Sequence, residues 1–218
     1  MKKEVVIYHG SISIIEKPIF GYGKPYNDYG MGFYCTESLD LAKEWAIDEE
    51  HDGYANKYLL DLTGLKVLNL SKEANTLNWI TILIQNRKFN LKTDIAKDGE
   101  KYLLEHHNLN YRDYDIIIGY RADDSYFNYA DSFLNNTITL GRLEEAMRLG
   151  NLGEQIVLVS KKAFDQLRFL GYEMADSKTY FPLRAERNKK AKEEFLNKRR
   201  EKPFKGDKYL SSIIEEEE

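Results

Sequence analysis

Val5-Val6-Ile7-Tyr8 is a short apolar run that stops at once in His9-Gly10-Ser11. Glycine at the end of a strand admits the close approach of another backbone or a ligand. The same punctuation returns at Gly30-Met31-Gly32-Phe33-Tyr34, where two glycines flank one residue and an aromatic strand begins. Short strands broken this way and separated by irregular helices do not build a regular βαβ alternation. The expectation is therefore an α+β fold, a split, mainly antiparallel sheet pair with flanking helices.

The remaining pattern fills in around these strands. Ser38 is a natural N-cap, and Leu39, Leu41, Ala42, Trp45 and Ala46 recur at helical spacing. Strands are expected over 54–60 and 65–70, and helices over 71–87 and 93–105. Asp115 to Gly119 reads as a compact apolar strand, followed by a polar loop over 121–125. Functional side chains concentrate in loops at strand ends, so Arg121, Asp124 and Ser125 are candidates for ligand contacts, against the plainer reading of a turn with solvated charges. A helix over 140–149, ended by Gly150 and a tight turn, delivers Glu154 to a strand, and 161–170 reads as helical. From Arg184 to Glu201 the chain is strongly charged and reads as a solvated helix or mobile tail. The expected division is one domain over 1–183 and a charged extension over 184–218.

Composition narrows the function. The chain has 218 residues and a formal charge of −4, which leaves no overall nucleic-acid footprint. A single cysteine, Cys35, excludes an internal disulfide and fits a reducing cytoplasm. The four histidines show no metal-ligand spacing, so no metal is expected. The apolar run before His9 is too short for a signal peptide core or a membrane span, so a bacterial cytoplasmic protein without a membrane partner is expected. Of sixteen tyrosines, nine gather in 22–34 and 111–129; most are expected at half-buried positions, where the ring packs and the hydroxyl stays wet. Acyl and metal hydrolases lack their signatures, with no Gly-x-Ser-x-Gly elbow and no His-Glu-x-x-His.

Trp45 follows Tyr34 by eleven residues. Two large aromatics that can clamp a flat ring, beside a histidine and bare backbone amides, make a pocket suited to nicotinamide. Taken alone, His9 is also compatible with a satisfied core histidine, Tyr34 with a packed strand aromatic, and Glu154 with a solvated strand end.

Together the three anchors, His9-Gly10-Ser11, Gly30 to Tyr34 with Trp45, and Gly153-Glu154-Gln155-Ile156-Val157, resemble the ADP-ribosyltransferase superfamily. They are most similar to its poly(ADP-ribose) polymerase and diphtheria-toxin-like members, and closest to a little-characterised bacterial group often regarded as toxins. The resemblance implies an ADP-ribosyltransferase-like split antiparallel β-sandwich. It implies NAD as the ADP-ribose donor, with His9 on the adenosine ribose, the Gly10 backbone on the nicotinamide carboxamide, Ser11 beside it in the binding strand, and Tyr34 and Trp45 on either side of nicotinamide. Glu154 inherits the catalytic carboxylate. A family serine three residues before the second aromatic is Ala42 here. Adjacent strand residues face opposite sides, so Gln155 is the alternative to Glu154 for the pocket-facing position.

The activity so implied is NAD-dependent transfer of ADP-ribose to a macromolecule, protein or nucleic acid, by a toxin or defence effector. A neutralising partner, an antitoxin, is then expected over the pocket. The alternatives are an NAD glycohydrolase, or an inactive NAD-, ADP-ribose- or protein-binding module of the same fold.

Overall fold

The computed structural model describes residues 3–122, 124–147 and 153–217, without the side chains of 124–126, 199 and 217. It is a mixed α+β fold with two sheets. The first contains β1 (Glu4–Ser11), β3 (Gly53–Asp61) and β7 (Leu167–Ala175), all antiparallel, in the order β1-β3-β7. The second contains β2 (Phe33–Cys35), β6 (Glu154–Leu158), β5 (Ile116–Tyr120) and β4 (Val67–Asn69), in the order β2-β6-β5-β4. Only β4 and β5 run parallel among the described strands. A bridge joins the sheets, with Tyr8 and Thr36 exchanging backbone hydrogen bonds of 2.8 and 2.9 Å.

Alternation of side chains explains the apolar runs Ile116–Ile118 of β5 and Ile156–Leu158 of β6. Ile116, Ile156 and Leu158 join Ile7, Phe33, Cys35, Tyr58 and Leu60 in one buried cluster. Ile117 and Val157 point the other way, into a larger cluster with Trp79, Ile80, Leu83, Leu103 and Phe133. A strand covered on both faces has no polar face to show. Helices α3 (Thr76–Asn86), α4 (Asp94–His106), α5 (Asp124–Leu134) and α6 (Leu140–Ala146) supply that second layer.

Helix α1 (Leu39–Ala46) is capped by Ser38, whose Oγ accepts from the Leu41 amide, and it lies on the first sheet. Gly10 makes that contact possible. A Cβ there would sit 2.1 Å from the Ala42 carbonyl oxygen and 2.8 Å from the Ala46 nitrogen, both backbone atoms that cannot swing aside.

Several sequence expectations need correction. The expected helix over 71–87 is two helices, α2 (Leu70–Glu73) and α3, separated because Asn75 forms a capping box with Asn78 and starts a new helix. The helical reading of 161–170 holds only for α7 (Lys161–Asp165); from Leu167 the chain is β7, paired with β3 through a bulge at Lys57/Tyr58. The end of the helix over 140–149 and its following turn lie largely outside the described residues.

The charged segment is helical and docked. Helix α8 (Ser177–Arg200) runs through position 183 without a break, and Ala191 and Phe195 are buried. Helix α9 (Leu210–Glu217) buries Leu210 and Ile213 against the helical layer. No helix among the described residues is long and apolar enough to cross a membrane.

Candidate functional site

A cleft of about 710 Å³ opens where β1, β2 and β6 meet the long loop between β1 and β2. His9, Phe33, Tyr34, Trp45, Arg121 and Gln155 line it, together with Asp28 and Arg87, which sequence reading had not selected. The loop contributes Ile15, Pro18 to Lys24, Asn27 and Met31. Two buried polar side chains pin its start. Asn56 accepts from the Ile15 amide (2.8 Å) and donates to the carbonyls of His9 and Ser13 (3.3 and 3.1 Å), and the Tyr58 hydroxyl donates to the Ile15 carbonyl.

His9 is held in one orientation. Its ring stacks on Phe33 at 4.2 Å, and Nδ1 lies 2.7 Å from the Tyr34 carbonyl oxygen. A carbonyl only accepts, so Nδ1 carries the hydrogen and the neutral ring presents Nε2 as an acceptor. Burial pushes the imidazole below its usual range, partly opposed by that same hydrogen bond.

Tyr34 is fixed as firmly. Its hydroxyl donates to the Gly30 carbonyl (2.7 Å) and accepts from the Tyr29 amide (3.1 Å), closing the glycine turn onto its own ring. Burial raises the phenol well above its ordinary value. On another wall, the Arg121 guanidinium lies 4.7 Å from the Trp45 ring centroid.

Helix α8 holds the helix that carries Trp45. Arg184 donates to the Glu44 and Ile47 carbonyls (3.1 and 3.0 Å), satisfying the open C-terminal end of α1. Arg187 pairs with the buried Glu44 carboxylate, whose pKa is pushed up by burial and pulled down by Arg187, Arg121 and Arg184.

The adjacent pair in β6 separates. Gln155 is only 3% exposed and lines the cleft. Its Nε2 donates to Asp28 Oδ2 (3.0 Å) and the Tyr120 carbonyl (3.2 Å). Glu154 is exposed, does not line the cleft, and accepts a hydrogen bond from the Ser71 hydroxyl. The choice of Glu154 as the pocket-facing residue is thus displaced by one, because β6 pairs with β5 and β2 in the register that turns Gln155 toward Asp28.

Asp28 is buried, at 5% exposed. Oδ1 accepts from Arg87 (2.7 Å), while Oδ2 accepts from the Ala122 amide (2.8 Å) and from Gln155. Burial raises its pKa; the hydrogen bonds from Gln155 and Ala122 and the charges of Arg87 and Arg121 oppose the rise. Below it, the Tyr29 hydroxyl donates to the Tyr120 carbonyl (2.7 Å) and accepts from Trp79 Nε1 (3.1 Å).

Gly10 and Ser11 are not among the cleft-lining residues. Gly10 serves the packing of α1, and the Ser11 hydroxyl accepts from the Ser13 amide in a local turn. Asp124 and Ser125 open α5, and their side chains lie outside the described residues. Asp28 and Arg87 left no local signal: one lies in a glycine- and proline-rich loop, the other just after a helix, and only their pairing marks them.

Fold and cleft define an α+β protein with a well-formed, polar-edged aromatic pocket. Residues 5–169 match the family described as Protein of unknown function (DUF3990), and the chain belongs to that family. No curated protein and no solved structure matches the chain.

Proposed function

We propose that the protein is an NAD-dependent ADP-ribosyltransferase, a glycosyltransferase acting on a macromolecule as a bacterial toxin or defence effector. The observation that carries this reading is the division of labour in one cleft. His9 and Gln155 offer acceptor atoms, Tyr34 and Trp45 offer aromatic surface, and Arg87 and Arg121 offer cationic edges. The complementary ligand carries hydroxyl donors, a flat ring and an anionic group. NAD carries all three, and about 710 Å³ is within the range of pockets that enclose such ligands.

In the transfer, the bond between ribose C1′ and the nicotinamide nitrogen breaks, and its electron pair leaves with nicotinamide. The acceptor's nucleophile forms the new bond at C1′ and loses its proton. The transition state is oxocarbenium-like, so a hydrogen bond to ribose and negative potential near C1′ both speed it. Gln155 supplies the first and not the second. Turnover slower than that of a carboxylate-bearing enzyme is therefore expected.

That neutral side chain also favours a second reading, a module that binds NAD or ADP-ribose without cleaving it. An NAD glycohydrolase, with water as the acceptor, lies between the two. Labelled NAD incubated with the protein and a cell lysate, then digested separately with protease and nuclease, separates all three. Label on a macromolecule supports transfer and tells protein from nucleic acid. Nicotinamide release without label indicates hydrolysis, and binding without release indicates the module. Absence of NAD binding at millimolar concentration refutes every form of the reading. Growth unaffected by strong expression in susceptible cells would count against toxicity, and with it against a neutralising partner.

A further inference from the structure

We propose that Asp28 is the positioning residue of the cleft: it locks the Gln155 amide with its nitrogen inward and its carbonyl oxygen outward, as the acceptor for a ligand hydroxyl. The ligand's identity as NAD rests on the function proposed above; the orientation of the amide does not.

An amide can be turned over in place, and its partners decide which end faces where. Here the two hydrogen bonds of Nε2 run to acceptors, Asp28 Oδ2 at 3.0 Å and the Tyr120 carbonyl at 3.2 Å; the Tyr29 hydroxyl is also in reach of the amide, but its own hydrogen is already given to Tyr120. Turning the amide over would set Oε1 against a carboxylate and a carbonyl and lose two hydrogen bonds. With both amide hydrogens occupied inside the protein, Oε1 has no protein partner among the described residues and is left for the cleft. Gln155 belongs to a paired strand, so the backbone beneath the amide is fixed as well.

Asp28 itself is largely committed inside the protein. Its two oxygens hold three hydrogen bonds, from Arg87, Ala122 and Gln155. Its charge is balanced by the Arg87 guanidinium at 2.7 Å, with Arg121 also near enough to act on it. The field left in the cleft is not that of a bare carboxylate. Asp28 therefore acts by orienting a neutral acceptor rather than by facing the reacting carbon. The ion pair to Arg87 in turn fixes Asp28, whose place in a loop offers no such constraint.

Two measurements test this. In ¹⁵N spectra of the wild-type protein, the Gln155 side-chain amide, assigned by its loss in Gln155→Met, should exchange with solvent at least about tenfold more slowly than the side-chain amides of the exposed Asn90 and Asn197, as expected of a buried, doubly donating group. In Asp28→Asn the second oxygen becomes an NH₂ or must surrender Arg87, and the protection should disappear. Rapid exchange in the folded wild type overturns the proposal, whether or not NAD binds.

The second measurement compares binding of NAD with that of an analogue lacking a hydroxyl on the nicotinamide ribose. Wild type should discriminate by about tenfold, the scale of one hydrogen bond. Asp28→Asn and Gln155→Met should each lose the discrimination, and the double variant should lose no more than either alone. Discrimination that survives in folded Asp28→Asn, or losses that add, overturns the proposal. If Asp28→Asn does not fold, the wild-type exchange rate and Gln155→Met still decide. If NAD does not bind at all, the functional reading fails, while the exchange measurement still judges the orientation.

Discussion

Glu154 and Gln155 are neighbours in β6, yet Gln155 donates to the buried Asp28 carboxylate at 3.0 Å while Glu154 accepts from the Ser71 hydroxyl outside the cleft. One residue of register separates a cleft group from a surface group. Four consequences can be measured.

Gln155→Ala should lower NAD affinity and nicotinamide release together, by roughly tenfold or more, because a buried hydrogen-bonding group is removed and Asp28 loses a donor. Glu154→Gln should leave both nearly unchanged and shift stability by no more than about 0.5 kcal/mol, as expected of an exposed position. Calorimetric NAD titration and a nicotinamide-release assay read both. Loss of activity in Glu154→Gln with an intact Gln155→Ala would reverse the assignment.

Tyr34→Phe keeps the ring and removes the hydroxyl that ties the Tyr29 amide to the Gly30 carbonyl. About 1–3 kcal/mol of stability should go with it, since two partners in the turn lose their bond. NAD affinity should fall less than in Tyr34→Ala, where the aromatic wall goes too. Chemical denaturation and NAD titration on the two variants would show whether the ring or the hydroxyl matters more.

Gly10→Ala forces a methyl group toward the Ala42 carbonyl oxygen, 2.1 Å from where it would lie. Relief requires α1 to move away from β1, carrying Trp45 out of the cleft wall. A loss of about 1–3 kcal/mol or more is expected from overpacking against backbone. Tryptophan fluorescence should change at the same time, from Trp45 rather than from Trp79, which is buried in the helical layer. An unchanged denaturation midpoint would mean that α1 does not pack as described.

The pH dependence of stability should carry opposite contributions from two cleft residues. Burial lowers the His9 pKa below its ordinary 6.5. Falling pH therefore protonates His9 in the unfolded chain first, and stability should decline from about 6.5 down to the folded value, then level off. Asp28 is raised above its ordinary 3.8. Its contribution is fully present below that value and is lost as pH rises through the folded pKa. Denaturation midpoints between pH 4 and 8 for wild type, His9→Gln and Asp28→Asn isolate each part. A His9→Gln profile parallel to wild type between pH 5 and 7 would remove His9 as a source.

How much of this was legible beforehand differs from residue to residue. His9, Tyr34 and Trp45 announced themselves, because a strand ending in His-Gly, a glycine turn closing on an aromatic, and helical spacing after Ser38 are local patterns. β5 was legible for the same reason, as a compact apolar run. β7 was not: Leu167 to Leu170 suits either a helix or a strand, and pairing with β3 decided between them. The charged segment looked solvated because only Ala191 and Phe195 are buried along its middle, yet Arg184 and Arg187 tie it to α1 through groups 140 and 143 positions away.

The sequence by itself determined the kind of most elements, β7 excepted, and the identity of the cleft's Tyr34, Trp45 and His9, since these follow from short-range periodicity and turn chemistry. Only the tertiary structure decided which face of β6 meets the cleft and which carboxylate is buried there. Asp28 is 59 residues from Arg87 and 127 from Gln155. A charge can be taken out of water only where its partners already stand, and no local pattern records where three distant segments will bring them together.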